Sequence, residues 1–95
     1  MYIINYDISS DRLRNKVAVL LEGYGKWVQY SCFECNITIK QYEELKEKLE
    51  KLMKDVKEGN VRIYHLCKNC DERILVLGKP SLVVEDSDVY VIWMV

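Results

Sequence analysis

The chain lacks the features of a membrane or exported protein. Among its 95 residues are one proline, one histidine and one phenylalanine, and its formal net charge is −1. No stretch approaches the roughly 18 apolar residues of a membrane-spanning helix, and the opening MYIINYD has no basic region typical of a signal peptide. We expect a cytoplasmic protein with no membrane segment. Its near-neutral charge confines any surface for nucleic acid to a local patch.

The apolar content is sufficient for one hydrophobic core. Apolar residues make up 49% of the sequence, and a chain of this length lies at the small end of the domain range. We expect a single domain over residues 1–95. Because so short a chain buries a modest fraction of its surface, a homodimer is a natural supplement to its stability.

The order of the sequence patterns predicts an α+β fold. Strand, helix, two strands, helix and strand follow one another, which is the ferredoxin-like βαββαβ arrangement. We expect both helices on one face of a four-stranded sheet. The expected bounds are 2–8 for the first strand, about 9–24 for the first helix, 26–37 for the strand pair with its reversal near Tyr30 and Ser31, 38–56 for the second helix and 61–66 for the last strand.

Local signals mark the ends of both helices. Ser9, Ser10 and Asp11 supply an N-cap and an acidic first turn for the first helix, and Gly23 and Gly25 end it. Thr38 and Gln41 fit a capping box for the second helix, an apolar stripe runs along it from Tyr42 to Val56, and Gly59-Asn60 ends it.

Two further strand-like runs follow this core, which ends at about residue 67. They are RILVLG at 73–78 and DVYVIWMV at 88–95, and Lys79-Pro80 separates them. A four-stranded sheet has no position within its core for both of these additional strands. We therefore expect the extension, about residues 71–95, to add strands at an edge and to pair at the dimer interface.

The four cysteines form two pairs, each with the two-residue gap that zinc sites use. Cys32 and Cys35 lie in a run of strand-forming residues, where positions three apart point to opposite faces. Reduced, packed thiols therefore explain that pair better than zinc. Cys67 and Cys70 flank a predicted turn, and this pair is able to form a disulfide under oxidation, although a plain reduced pair is the simpler interpretation.

Asp7 is the main candidate for chemistry. It stands where the first strand runs into a helix, at the carboxyl end of the strand, where sites are often assembled. A lone aspartate there is more often a turn or cap residue. A two-fold axis near Asp7 would bring two carboxylates together, and such a pair with waters suits Mg²⁺ or Mn²⁺ beside a phosphate. His65, in a predicted strand, is a poor alternative base.

Basic residues gather early in the chain, and they are candidates for contacts to phosphates. An ordinary solvated helix face is an equally good interpretation. Tyr6 and Phe33 are candidates to flank the same region, although aromatic residues in strands are more often core. The basic residues are Arg12, Arg14, Lys16 and Lys26.

Several motifs in a fixed order resemble the CRISPR-associated Cas-two family across about residues 1–77. They are the YD at the end of the first strand, the LEGYG turn, the VQYSCFEC ribbon and the RIYHLC strand. The resemblance implies a ferredoxin-like homodimer in which Asp7 of each subunit faces a shared divalent ion. It also implies a partner, the Cas-one integrase, with which the family inserts new spacers into a CRISPR array.

The resemblance also implies which residues form the site, because several positions of this chain match functional residues of the family. Tyr6, Asp7, Arg14 and Phe33 match family residues linked to nuclease activity, and Lys16 stands where a basic residue is expected. Members have been described as metal-dependent endonucleases acting on single-stranded RNA or duplex DNA. In the integration complex, the family acts as a scaffold that holds DNA.

Two functions follow from these observations. One is a metal-dependent endonuclease with Asp7 as metal ligand, and the other is a non-catalytic adaptor that bridges Cas-one integrase dimers and binds DNA through the four basic residues. A ferredoxin-like RNA-binding or small-ligand module and a zinc-stabilised domain are weaker alternatives, because the aromatic-rich strand of an RNA-recognition motif is not found.

Overall fold

The first strand sets the two faces of the sheet. In the computed structural model, which describes residues 1–78, β1 (Tyr2–Ile8) buries every even-numbered side chain. Successive residues of a strand point to opposite faces, so these four apolar side chains line one face. Tyr2 is 4% exposed and Ile4 is fully buried. This face carries the hydrophobic core.

Helix α1 (Asp11–Glu22) follows β1 after a short loop. Ser10 caps it, and the Ser10 side chain accepts a hydrogen bond from the backbone N–H of Leu13, which satisfies one of the unpaired donors of the first turn. Val17 and Leu21, one helical turn apart, are buried against the sheet. The predicted cap and the predicted end near Gly23 are confirmed.

Strands β2 (Lys26–Gln29) and β3 (Cys32–Cys35) form the predicted ribbon, with its reversal at residues 30–31. Tyr30 adopts a φ of 42° there, and the register shifts between Trp27 and Gln29. A bulge of this kind strengthens the local twist of a strand pair.

Helix α2 (Ile39–Met53) carries the capping box expected at Thr38 and Gln41. Leu45 and Leu49 are its buried residues. The helix ends three residues before the predicted end at Val56, because the Val56 N–H bonds to the carbonyl of Met53 in a tight turn. The apolar stripe showed which side chains face the core, but it did not show where the backbone leaves the helix.

Strand β4 (Gly59–His65) completes a sheet of order β2-β3-β1-β4, in which all neighbouring strands are antiparallel. This is the predicted ferredoxin-like arrangement, with β1 central and both helices contributing to one core. β4 begins two residues earlier than expected, since Gly59 and Asn60 already pair with β1. His65 stacks on Tyr2, whose ring also stacks on Tyr42, so this histidine is a packing residue.

Residues beyond β4 depart from the prediction. A short helix α3 (Lys68–Asp71) forms where a turn was expected, and residues 73–78 do not form the predicted strand. A strand needs a neighbouring strand for its hydrogen bonds, and within residues 1–78 no segment pairs with this run. The run at 88–95 lies outside the described residues. None of the described helices is long and apolar enough to cross a membrane.

We predict opposite effects of alanine at two neighbouring glycines. A Cβ on Gly25 would overlap the Glu34 carbonyl oxygen and lie 2.8 Å from the Cα of Cys35. Gly25→Ala should therefore lower the free energy of unfolding by about 2 kcal/mol or more. Gly23 has a φ of −76° and would place its Cβ 3.4 Å from the nearest atom.

Gly23→Ala is the matched control and should raise the free energy of unfolding by about 0.5 kcal/mol, because it restricts the unfolded chain. Chemical denaturation followed by circular dichroism measures both variants. Equal unfolding midpoints for the two variants would contradict the close approach of β3 to Gly25.

Candidate functional site

The face of the sheet opposite the helices, called the open face below, carries the polar side chains of the strands. The register places Ile3 beside Glu34 and Tyr64, and Asn5 beside Cys32 and Arg62. The residues of this face are Ile3, Asn5 and Asp7 from β1, Cys32 and Glu34 from β3, and Asn60, Arg62 and Tyr64 from β4.

Asp7 lies on the open face at the end of β1 and is exposed. Its neighbour in the ladder is Asn60 of β4. The ion pairs among residues 1–78 join Asp11 to Arg14 and two Glu–Lys pairs of α2, so the Asp7 carboxylate takes part in none of them. An exposed carboxylate without a charged partner is free to accept a ligand.

Gly59 lets β4 begin close to Asp7. Its φ is 139°, and an added Cβ would lie 2.8 Å from the Asp7 carbonyl oxygen and 3.1 Å from the Cα of Ile8. Only glycine adopts this backbone conformation without strain. The position of Gly59 after the helical pattern predicts only the end of α2, and no local signal indicates this second role.

Arg14 braces the loop behind Asp7. Its guanidinium donates a hydrogen bond of 3.1 Å to the carbonyl oxygen of Ile8, the residue after Asp7, and pairs with Asp11. The side chain is 39% exposed. Arg14 therefore holds the end of β1 against the start of α1, and much of its charge is already engaged within the chain.

Arg12 and Lys16 form the basic surface that remains free on α1. Both are exposed, and residues four apart lie on the same side of a helix. Arg14, two residues from each, points elsewhere. The structure therefore divides the predicted basic cluster on α1 into a free pair and a structural arginine.

Lys26 lies apart from Asp7. It begins β2 opposite Glu34, whose own partner in β1 is Ile3, so four residues of strand, or about 13 Å, separate its row from that of Asp7. Burial raises the pKa of Glu34, and Asp71 raises it further, whereas Lys26 lowers it. Lys26 thus stabilises the charged form of Glu34, at the end of the sheet opposite Asp7.

Tyr6 and Phe33 belong to the core. They are 8% and 2% exposed, and their ring centroids are 6.3 Å apart. Burial raises the pKa of Tyr6, partly offset by a hydrogen bond with the Ser31 side chain. Both rings lie on the face opposite Asp7 and are covered by other side chains in the folded chain, so their contact with nucleic acid stays a prediction.

Comparison with known proteins identifies the family. Residues 1–74 match the model of the family described as CRISPR associated protein Cas2. This chain belongs to the Cas2 family. The name is the Cas-two of the sequence analysis, so the resemblance read from the motifs is confirmed.

Relatives and solved structures agree on this membership. CRISPR-associated endoribonuclease Cas2 1 of Chloroflexus aurantiacus is 44% identical over 91 residues, which cover 96% of this chain and 98% of the relative. The crystal structure of Streptococcus pyogenes Cas2 at pH 6.5 has a TM-score of 0.68 at 32% identity, covering 81% of this chain and 98% of that chain.

A third similarity is to a chain in an assembly. The solved structure of a partial Cas6-RT-Cas1--Cas2 complex contains a chain that matches with a TM-score of 0.67 at 34% identity. The match covers 77% of this chain and 84% of that chain. A fold like the one described here therefore occurs in a complex with Cas1.

One Cas2 chain supplies few ligands for a metal ion. Among residues 1–78, no group of three or more His, Cys, Asp or Glu side chains is arranged to hold one, and the nearby Asp11 is engaged by Arg14. Mg²⁺ takes one or two carboxylates and keeps several waters. The donor at Asp7 therefore fits such an ion when a second carboxylate comes from another molecule.

Two exposed aromatic residues, Trp27 and Tyr30, and the exposed Arg62 were missed as site candidates. Tyr30 is 83% exposed, and the Trp27 side chain donates a hydrogen bond to its carbonyl oxygen. Arg62 is exposed on the open face, two residues along β4 from Asn60. The alternation in VRIYH could have indicated Arg62, since Val61 and Ile63 face the core.

The first cysteine pair lies on opposite faces of β3, as its spacing predicts. Cys35 is buried among core residues, whereas Cys32 is on the open face and half-buried. Burial raises the pKa of Cys35 to about 11. These two sulfurs cannot approach one another while β3 is intact.

We predict that Arg14 and Arg12 differ in their effect on stability. Arg14→Gln should lower the free energy of unfolding by about 1 kcal/mol, because the bond to Ile8 is lost from a partly buried site. Arg12→Gln removes the same charge from an exposed position and should change it by less than about 0.5 kcal/mol. Urea denaturation compares the two, and equal losses would rule out the bracing role of Arg14.

Proposed function

We propose that this chain is a metal-dependent endonuclease of CRISPR spacer acquisition, which hydrolyses phosphodiester bonds in RNA or DNA with Asp7 as its metal ligand. The observation that carries this proposal is the exposed Asp7 carboxylate at the end of the central strand, outside every ion pair of residues 1–78. The Chloroflexus aurantiacus relative, at 44% identity, is named an endoribonuclease.

The active form in this proposal is a homodimer built on the open face. One chain offers one suitable carboxylate, so a two-fold axis near Asp7 supplies the second. Tyr64, on the same face, is 48% exposed, and Leu75 and Leu77 of the extension are 57% and 62% exposed. These apolar side chains support a face buried by a second copy, with residues 71–95 pairing at the interface.

Each residue near Asp7 has a defined task in this site. The paired carboxylates would hold Mg²⁺ or Mn²⁺, and the bound ion would stabilise charge on a phosphoryl oxygen and lower the pKa of a water. Arg14 keeps the end of β1 and the following loop in place through its bond to Ile8. Arg12 and Lys16, on the exposed face of α1, bind the phosphates of the RNA or DNA strand.

Asp7→Asn should abolish metal-dependent cleavage by the dimer. The amide keeps the size of the side chain and removes its charge, so the rate should fall by about a hundredfold or more. Labelled RNA and duplex DNA are incubated with Mg²⁺, Mn²⁺ or EDTA, and the dimer is checked by light scattering.

Asp55→Asn is the matched control, because Asp55 is an exposed carboxylate in the turn after α2. It should cleave at the rate of the unmodified chain. Absence of cleavage by the unmodified chain, or cleavage that survives Asp7→Asn, would sink the nuclease proposal.

A second function is a DNA-binding adaptor that bridges Cas1 integrase dimers. The structural match to a chain in a complex with Cas1 favours it. In this role Asp7 has no catalytic task, and the free basic pair Arg12 and Lys16 carries DNA contact. The protein would act in the cytoplasm, where its nucleic-acid partners lie.

The double variant Arg12→Glu with Lys16→Glu should weaken binding to duplex DNA and reduce the salt dependence of log K by about 2, since two phosphate contacts are lost. Lys46→Glu with Lys54→Glu makes the same charge change on exposed residues of α2 and its end. Fluorescence anisotropy over a salt series compares them. Equal weakening by both double variants would show a general charge effect and no local DNA surface.

A further inference from the structure

The second cysteine pair differs in kind from the first. Cys67 caps α3 and Cys70 lies within it. Their sulfur atoms are 3.2 Å apart, and the backbone N–H of Cys70 is 3.4 Å from the Cys67 sulfur. Both side chains are exposed and both are free thiols. Two reactive groups are therefore already in contact and open to solvent.

The same two-residue gap gives the opposite result in β3. There the extended backbone sends Cys32 and Cys35 to opposite faces, whereas the turn of α3 brings Cys67 and Cys70 to one side. The contact thus follows from the local backbone and not from the spacing alone. Cys32 and Cys35 therefore serve as an internal control when a reagent is tested on Cys67 and Cys70.

The two sulfurs of the exposed pair are not equivalent. A hydrogen bond from the backbone N–H of Cys70 and the contact with the Cys70 side chain lower the pKa of Cys67. The same contact raises the pKa of Cys70. Since the thiolate is the attacking species in disulfide exchange, Cys67 is the better nucleophile and Cys70 the resolving thiol.

The pair stands at a junction in the chain. Leu66, directly before Cys67, is hydrogen-bonded to Met1 through both its N–H, at 2.8 Å, and its carbonyl oxygen, at 3.3 Å. These bonds fix the end of β4 beside β1. The residues after α3 begin the extension, so α3 sets the direction in which the chain leaves the sheet.

We propose that Cys67 and Cys70 form a thiol–disulfide redox site that exchanges with low-molecular-weight disulfides. The Cys67 thiolate attacks the disulfide, forms a mixed disulfide and expels one thiolate. Cys70 gives up its proton, attacks the Cys67 sulfur and expels the second thiolate. The chain loses two electrons and two protons, and the small disulfide is reduced to two thiols.

The oxidised form closes the turn covalently at the point where the extension starts. It therefore restricts the path of residues 72–78 without touching Asp7 or the basic pair of α1. This inference goes beyond the proposed function, because the redox site requires neither cleavage nor DNA binding.

The test is to equilibrate the full chain in buffers of graded glutathione to glutathione-disulfide ratio, then to trap free thiols with N-ethylmaleimide. A protease that leaves residues 67–70 on one peptide is used before mass spectrometry. We expect this peptide to lose two hydrogen atoms and take up no maleimide as the buffer becomes more oxidising. Cys32 and Cys35 should form no bond with each other at the same ratios.

Two variants separate the roles of the sulfurs. Cys70→Ser should accumulate a mixed disulfide of Cys67 with glutathione, because the resolving thiol is absent. Cys67→Ser should react with glutathione disulfide several-fold more slowly. The proposal is overturned if Cys67 and Cys70 both remain fully alkylated across the series, or if disulfides between chains form instead of the bond within one chain.

Discussion

The two-faced pairing of β1 is the constraint on which the rest of the structure depends. This strand bonds to β3 on one side and to β4 on the other, so its alternation fixes the orientation of both neighbours. Tyr6 and Asp7 are adjacent in sequence yet lie on opposite faces, one in the core and one exposed. A slip of one residue would bury the Asp7 carboxylate and expose the ring of Tyr6, which makes the register costly to change.

Local signals in the sequence were sufficient for the order of elements as far as β4, but they failed at two boundaries and beyond β4. Caps at Ser10 and Thr38 and the reversal at Tyr30 involve residues close in sequence, so composition alone indicated them. The end of α2 and the start of β4 depend on how the chain returns to pair with β1. Gly59 was read as a helix breaker, but its role in the sheet comes from the approach of the Asp7 backbone. That contact joins residues far apart in sequence.

The candidate site was predicted in part, for the same reason. The end of a strand located Asp7 correctly on the fold. The basic residues are near neighbours in sequence, but helix geometry separates Arg14 from Arg12, and the sheet register carries Lys26 to the far end. Arg62 reaches the open face only through the pairing of β4 with β1. Which side chains share a surface is decided by register, and register is not contained in a local pattern.

Two independent shortages in one short chain favour the proposed second copy. The first is burial, because a domain of this size leaves a large fraction of its apolar surface exposed, here including Tyr64 and Leu77. The second is ligands, because the described part of the chain offers one suitable carboxylate at the end of β1. In the proposed homodimer, contact through the open face removes both shortages. The contact that covers Tyr64 also brings the two Asp7 side chains together. Assembly and metal binding would then be coupled, and each copy would raise the affinity of the other for the ion.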